Sequence, residues 1–216
     1  MKLLDKVRTP QNKFPTEKQI FITVGIFLLG IGLGTFSKYL DHQQAYLPSF
    51  LMMIDTSIDL HNFLGRFSPW IFIAVCISVY SQSAVKAAVD VFIFFVGMVS
   101  SYYLYSNFIA GFFPKSYAMI WIAFTVLSPF LAYLCWYAKG NGWIACIISA
   151  CIIGTLFNTA FSYGFFYFSV RYWLEVIVLL LMIVILHRKS KEMFVMLGIG
   201  IVFAVITNIL FPFKIW

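Results

Sequence analysis

The stretch QIFITVGIFLLGIGLGTFS, residues 19–37, decides the fold. It carries no ionisable residue. As a helix rising about 1.5 Å per residue, it matches a hydrocarbon layer about 30 Å thick. Within such a layer each backbone N–H and C=O must be satisfied inside the segment, so the run reads as a transmembrane helix. Gly30 and Gly34 stand at the spacing that lets a second helix backbone approach closely. The expectation for this pair is packing inside the bundle, ahead of dimerisation.

The rest of the chain is of the same kind. Of its 216 residues 62% are hydrophobic and 11% charged, against about 25% charged in an ordinary soluble domain. A soluble fold of this size has too little interior for so much apolar surface. The composition excludes a soluble enzyme and a disordered chain, and predicts an all-α, polytopic transmembrane helix bundle. Residues 1–18 read as a basic cytoplasmic segment, and 19–216 as a single membrane domain. The first apolar run has no cleavage-site pattern after it and is expected to stay as an anchor. The four cysteines, Cys76, Cys135, Cys146 and Cys151, all lie in apolar runs without metal-ligand spacing and read as packing residues. Tryptophan and tyrosine near the run ends, such as Trp70, Tyr117, Trp143, Tyr172 and Trp173, fit an interfacial belt.

Hydropathy and turn residues predict seven spans, at about 19–37, 67–82, 84–111, 117–138, 143–163, 171–187 and 193–211. Six remain if the second is re-entrant. Ser68-Pro69 starts span two, Ser128-Pro129 predicts a kink in span four, and Lys139-Gly140-Asn141-Gly142 is a tight turn. No repeat of about 20–50 residues is visible. With the N-terminus inside, ten of the fifteen Lys and Arg residues fall on the cytoplasmic side: Lys2, Lys6, Arg8, Lys13, Lys18, Lys86, Lys139, Arg188, Lys189 and Lys191. Lys38, Arg66, Lys115, Arg171 and Lys214 fall outside. That bias orients the chain N-in and C-out, and explains the net charge of +7 without nucleic acid.

Polar residues inside a membrane are costly, so their depth is informative. Tyr102, Tyr105 and Asn107 of span three, Asn158 and Tyr163 of span five, and Arg171 and Glu175 of span six all fall in the outer half. They predict an outward-facing pocket between those three spans. Arg171 and Glu175, spaced i, i+4, also suit a neutralising pair. Residues 49–67 read as one outer amphipathic helix. Leu47, Leu51, Ile54 and Ile58 would share one face, and Asp55, Asp59, Asn62 and Arg66 another. This helix either lies on the surface or forms a lid whose Asp55, Asp59 and Arg66 face the pocket. Asp90, near the cytoplasmic end of span three, stands four residues after Lys86. The two suit a snorkelling pair or an ion-coupling site.

Other chemistry has no foothold. His42, His61 and His187 are scattered, no metal or cofactor motif is present, and Asp59 and His61 would point apart on one helix. No nucleophile elbow or phosphate loop occurs. The size, the small-residue helix at Gly30 and Gly34, the long segment 38–66 and the outer polar cluster resemble the layout of the S-components of energy-coupling-factor transporters. That resemblance implies a bacterial cytoplasmic-membrane protein with a small-molecule site near the outer face, covered by the first outer loop. Those proteins usually have six spans. The leading expectation is therefore a small-molecule binding or transport protein in the lipid bilayer. The alternatives are an accessory subunit docking a membrane partner protein, and a membrane enzyme acting on lipid or peptide through Asp55 and Asp59.

Overall fold

The computed structural model describes residues 6–10, 14–44 and 46–210. Lys2, Lys13, Lys214 and the last residue of the seventh predicted span lie outside them. The described residues form α1 (Thr16–His42), α2 (Ser49–Ile58), α3 (Leu60–Gly65), α4 (Ser68–Tyr80), α5 (Ala84–Phe108), α6 (Lys115–Trp136), a short turn of tighter helix at Tyr137–Lys139, α7 (Gly142–Ala160), strands β1 (Phe161–Gly164) and β2 (Tyr167–Val170), α8 (Trp173–Ile185) and α9 (Ser190–Leu210). Helices α1, α5, α6 with its terminal turn, α7 and α9 are long and apolar enough to cross a membrane. This is compatible with a multi-pass membrane protein. Helices α4 and α8 have 13 residues each, about 20 Å of helix.

Both short helices nevertheless run between the same two ends of the bundle. At one end Ser68 of α4 meets Glu175 of α8. At the other, the Val79 and Ser81 carbonyls accept from Arg8 and Trp136, and Arg188 donates to Ala138. The first is called the lid end, because α2 and α3 lie there, and the second the basic end.

Glycines set the closest contacts. A Cβ on Gly30 or Gly34 of α1 would run into the Phe94 or Met98 carbonyl oxygen of α5. One on Gly97 would lie 2.7 Å from the Phe27 carbonyl oxygen. The α1–α5 pair is thus sealed backbone to backbone, as expected for Gly30 and Gly34. A second pair repeats the device. Gly154 of α7 lies against the Gly200 carbonyl of α9, and a Cβ on Gly200 would be 3.0 Å from the Ala150 oxygen. The chain plan repeats with it. Long helix, excursion at the lid end, 13-residue helix and long helix describe α1–α5, and again α7–α9. Helix α6 joins the halves. The halves begin at Thr16 and Gly142, too far apart to register as a repeat of about 20–50 residues.

Two local outcomes differ from the sequence reading. Residues 49–67 are not one helix. Asp59 adopts a left-handed conformation (φ 56°) and separates α2 from α3. Aspartate tolerates that region better than most residues. Asp55, Asp59, Asn62 and Arg66 therefore do not share one stripe. Second, span five ends at Ala160 and is followed by an antiparallel hairpin, in which Phe161 faces Val170 and Phe161 stacks on Phe168 at 5.0 Å. Aromatic and β-branched residues alternating with Ser and Gly over 161–170 suit strands. The run was read as span and loop because it adjoins a long apolar segment. Helix α6 runs on through Pro129. Proline cannot donate to the Thr125 carbonyl, but the Ser128 hydroxyl does, at 2.9 Å.

At the basic end, Arg8 donates to the Trp136 and Val79 carbonyls and lies 4.3 Å from the centre of the Trp136 indole. Arg188 donates to the Ala138 and Gly140 carbonyls. These cations close the carbonyl ends of α4 and α6.

The glycine seams make the fold testable. Gly30→Ala and Gly34→Ala force backbones apart and cost about 1–3 kcal/mol, read as a lower melting temperature in detergent. Gly25 and Gly32, on the same helix, have nothing within 4 Å of an added Cβ. Alanine there leaves the melting temperature unchanged or raises it by the gain in helix propensity.

Candidate functional site at the lid end

The residues predicted to form one pocket fall in four places. Tyr102 lines a small cavity between α1, α4, α5 and α6. Tyr105 meets His42 of α1 edge-on at 6.0 Å, and Asn107 is exposed in the last turn of α5. Asn158 belongs to the α7–α9 seam. Its amide nitrogen donates to the Ala204 carbonyl at 3.0 Å and the Thr207 hydroxyl at 2.8 Å, and its oxygen accepts from Tyr163 at 2.7 Å. Burial raises the Tyr163 hydroxyl above the usual phenol range, with Arg171 pulling the other way, which keeps it a donor. Asn158 is thus a helix–helix clamp with its hydrogen bonds filled. Glu175 joins Arg66 and Ser68 at the head of α8, with Arg171 acting on the same carboxylate.

The lid residues separate as well. Asp55 is buried, and its carboxylate accepts from the His61 backbone N–H and lies 2.8 Å from the His61 ring nitrogen. The left-handed break at Asp59 exposes the first N–H groups of α3, and Asp55 caps one of them. Asp59 accepts from Asn62 at 2.8 Å and stands 3.6 Å from His61. Asp55 and His61 meet only because the helix breaks, so continuous helical spacing hid the pair.

The cavity under α3 is the enclosed space nearest the predicted site. Its wall is aromatic: Trp70, Tyr102, Tyr103, Tyr117 and Trp121, with Ser37 of α1. Lys38, paired with Asp41 at 2.6 Å, lies 5.4 Å from the Tyr102 ring centre. The Tyr103 hydroxyl is buried with no hydrogen-bond partner among the described residues. A buried hydroxyl left unpaired costs free energy, which makes it the chemically demanding atom of this wall. The volume is about 20 Å³, room for about one water. The site is closed. Its roof is α3: Trp70 Nε1 donates to the Leu64 carbonyl at 2.9 Å, and the Tyr117 hydroxyl to the Gly65 carbonyl at 2.9 Å. Trp121 was missed in sequence because a bulky aromatic in an apolar run reads as core, and Trp70 because it reads as part of the interfacial belt.

Residues 15–213 match a family described as a family of unknown function, DUF6518. The chain belongs to that family. No curated protein and no solved structure matches it. The function of this DUF6518 chain therefore has to be argued from its own geometry.

Two further places bear on that argument. A wider groove of about 420 Å³ runs between α4, α5, α6 and α7, with a lining such as Ile71, Phe95, Leu131 and Ile152 that is almost wholly apolar. It suits hydrocarbon and lacks groups to orient a polar ligand. At the basic end, Lys86 bonds Asp90 at 2.5 Å and Thr23 donates to the same Asp90 oxygen at 2.8 Å. Asp90 is buried with its counter-charge on its own helix. No group of three or more metal-ligating side chains occurs among the described residues.

The roof is held by a few hydrogen bonds, so one can be removed. Tyr117→Phe deletes the bond to Gly65, worth about 1 kcal/mol. Cleavage of the 58–65 segment by added protease is then expected to rise about fivefold, with the melting temperature of the bundle barely altered. An unchanged cleavage rate would show that this bond does not hold the roof.

Proposed function

We propose that the chain is a seven-span membrane protein with a cytoplasmic N-terminus that binds a small molecule beneath α3, as a binding or transport protein. The observation that carries the reading is the Tyr103 hydroxyl, buried and unpartnered on an aromatic cavity whose roof is a six-residue helix tied by its carbonyls. Rings on several sides favour a planar heteroaromatic ligand, which stacks while one polar atom pairs with Tyr103. Opening of α3 admits it, because the closed cavity holds about one water. The site thus moves from the expected place between spans three, five and six to one between spans one to four. A first outer segment over a ligand site is also the layout of the S-components.

Charge supports the orientation. Among the described residues Lys6, Arg8, Lys18, Lys86, Lys139, Arg188, Lys189 and Lys191 lie toward the basic end, against Lys38, Arg66, Lys115 and Arg171 toward the lid end. The positive-inside rule puts the basic end in the cytoplasm. Counting α4 and α8 as spans gives the alternation that seven crossings require.

The test is thermal stabilisation of the purified protein by a panel of heteroaromatic metabolites. A ligand at about 100 times its Kd contributes about 2.7 kcal/mol, a rise of about 5–10 °C for a chain of this size. Tyr103→Phe and Trp121→Ala are expected to cancel the rise. A panel without effect, or a rise that survives both substitutions, contradicts the proposal. Reporter fusions at position 140 and at the C-terminus read the topology, with cytoplasmic and external signals expected respectively.

A further inference from the structure

Glu175 is the one carboxylate among the described residues that is almost wholly buried and held to a part of the chain able to leave it. It is 1% exposed. One oxygen accepts from Ser68 of α4 at 3.1 Å and lies 3.8 Å from the Arg66 guanidinium. The other is buried with no hydrogen-bond partner among the described residues. Arg66 sits in the link between α3 and α4, next to Gly65, and stacks on the Tyr172 ring at 3.5 Å. The charged groups facing this carboxylate are Arg66 from the lid and Arg171 from the segment before α8. Asp90 is the contrasting case. Its cation, Lys86, is on the same helix and Thr23 is across the glycine seam, so neither leaves when the lid moves.

The consequence follows from linkage. With the lid closed, Arg66 favours the ionised carboxylate. When α3 lifts, Arg66 goes with it, and a buried carboxylate keeps only Arg171 and one hydroxyl. A charge left in that position is costly, and a proton on the free oxygen removes the cost. We infer that Glu175 is a proton-binding site whose loading and the release of Arg66 are one event. The proton comes from the lid-end solution onto Glu175, Arg66 stays charged and turns to solvent, and the unit gains one positive charge. A metal cation is a poorer occupant: Arg66 stands 3.8 Å away and Ser68 alone adds an oxygen, where hard cations take about six. Acidity on the lid side therefore favours the open lid, independently of which ligand enters.

The test follows lid position by electron–electron resonance between spin labels at Ser57→Cys and Phe166→Cys, in full-length protein without its native cysteines, in lipid nanodiscs. Both sites are exposed. From about pH 8 to about pH 5 the long-distance population is expected to rise at least about fivefold. Glu175→Gln is expected to hold a raised open population that no longer responds to pH. Arg66→Ala is expected to be open at both ends of the range, which keeps the inference testable if the glutamine variant is poorly stable. His61→Gln, which removes the titratable histidine of the lid beside Asp55 and Asp59, is expected to keep the response. A single distance at all pH values, a response that survives Glu175→Gln, or one that vanishes with His61→Gln overturns the inference.

Discussion

Backbone-to-backbone contact at two glycine seams is the constraint on which the rest of this molecule depends. In a bilayer, apolar side chains gain little by leaving lipid for a neighbouring helix, so close packing and hydrogen bonds must do the associating. Gly30, Gly34 and Gly97 bring α1 onto α5, and Gly154 and Gly200 bring α7 onto α9. Each seam binds the first and third helices of a half, and the 13-residue helix packs beside it, α4 on α5 and α8 on α7. Helices α4 and α8 then face each other, and Ser68 meets Glu175 where their first turns approach. The junction between halves, with its buried carboxylate, follows from the seams.

The polar minority sorts by what it secures. Asn158 and Tyr163 lock the second seam, Lys86, Asp90 and Thr23 the first, and Arg8 and Arg188 close helix ends. The seam sets are filled, whereas Arg188 Nε and Gln82 Nε2 at the basic end are buried with no hydrogen-bond partner among the described residues. The lid end has unpaired atoms too, and there they lie beneath a short helix. Two ring donors hold the carbonyls of a six-residue helix, an arginine reaches across to a glutamate, and the hydroxyl of Tyr103 and one oxygen of Glu175 stay unpaired. Incompletely satisfied groups beneath a lightly held roof are where a ligand or a proton changes the energy most.

Much of the fold was legible in the sequence. Each of the seven apolar runs contains a helix, five of them long enough to cross a membrane, and the Gly30–Gly34 spacing lies in a real seam, because hydropathy and small-residue spacing act within one segment. Less of the site was legible, because depth is one coordinate. Tyr102, Asn158 and Glu175 lie toward the same end, yet face different neighbours, and which neighbour each meets depends on how the halves turn about α6. Asp59 shows the same limit locally: one residue with φ 56° sends Asp55 onto His61 and Arg66 toward Glu175. A helical wheel drawn through it puts Asp55 and Arg66 on one stripe, and only Asp59 and Asn62 of that stripe meet.

The central claim is that two rigid seams carry a lid that opens on its own. Hydrogen exchange of the full-length protein in nanodiscs, read by mass spectrometry, tests it most directly. The account predicts slow exchange in α1, α5, α7 and α9 around Gly34, Gly97, Gly154 and Gly200. It predicts exchange at least about a hundredfold faster in α2 and α3, whose opening leaves the bundle intact. Protection of α2 and α3 equal to that of the seams would contradict it, since lid and bundle would then open only together.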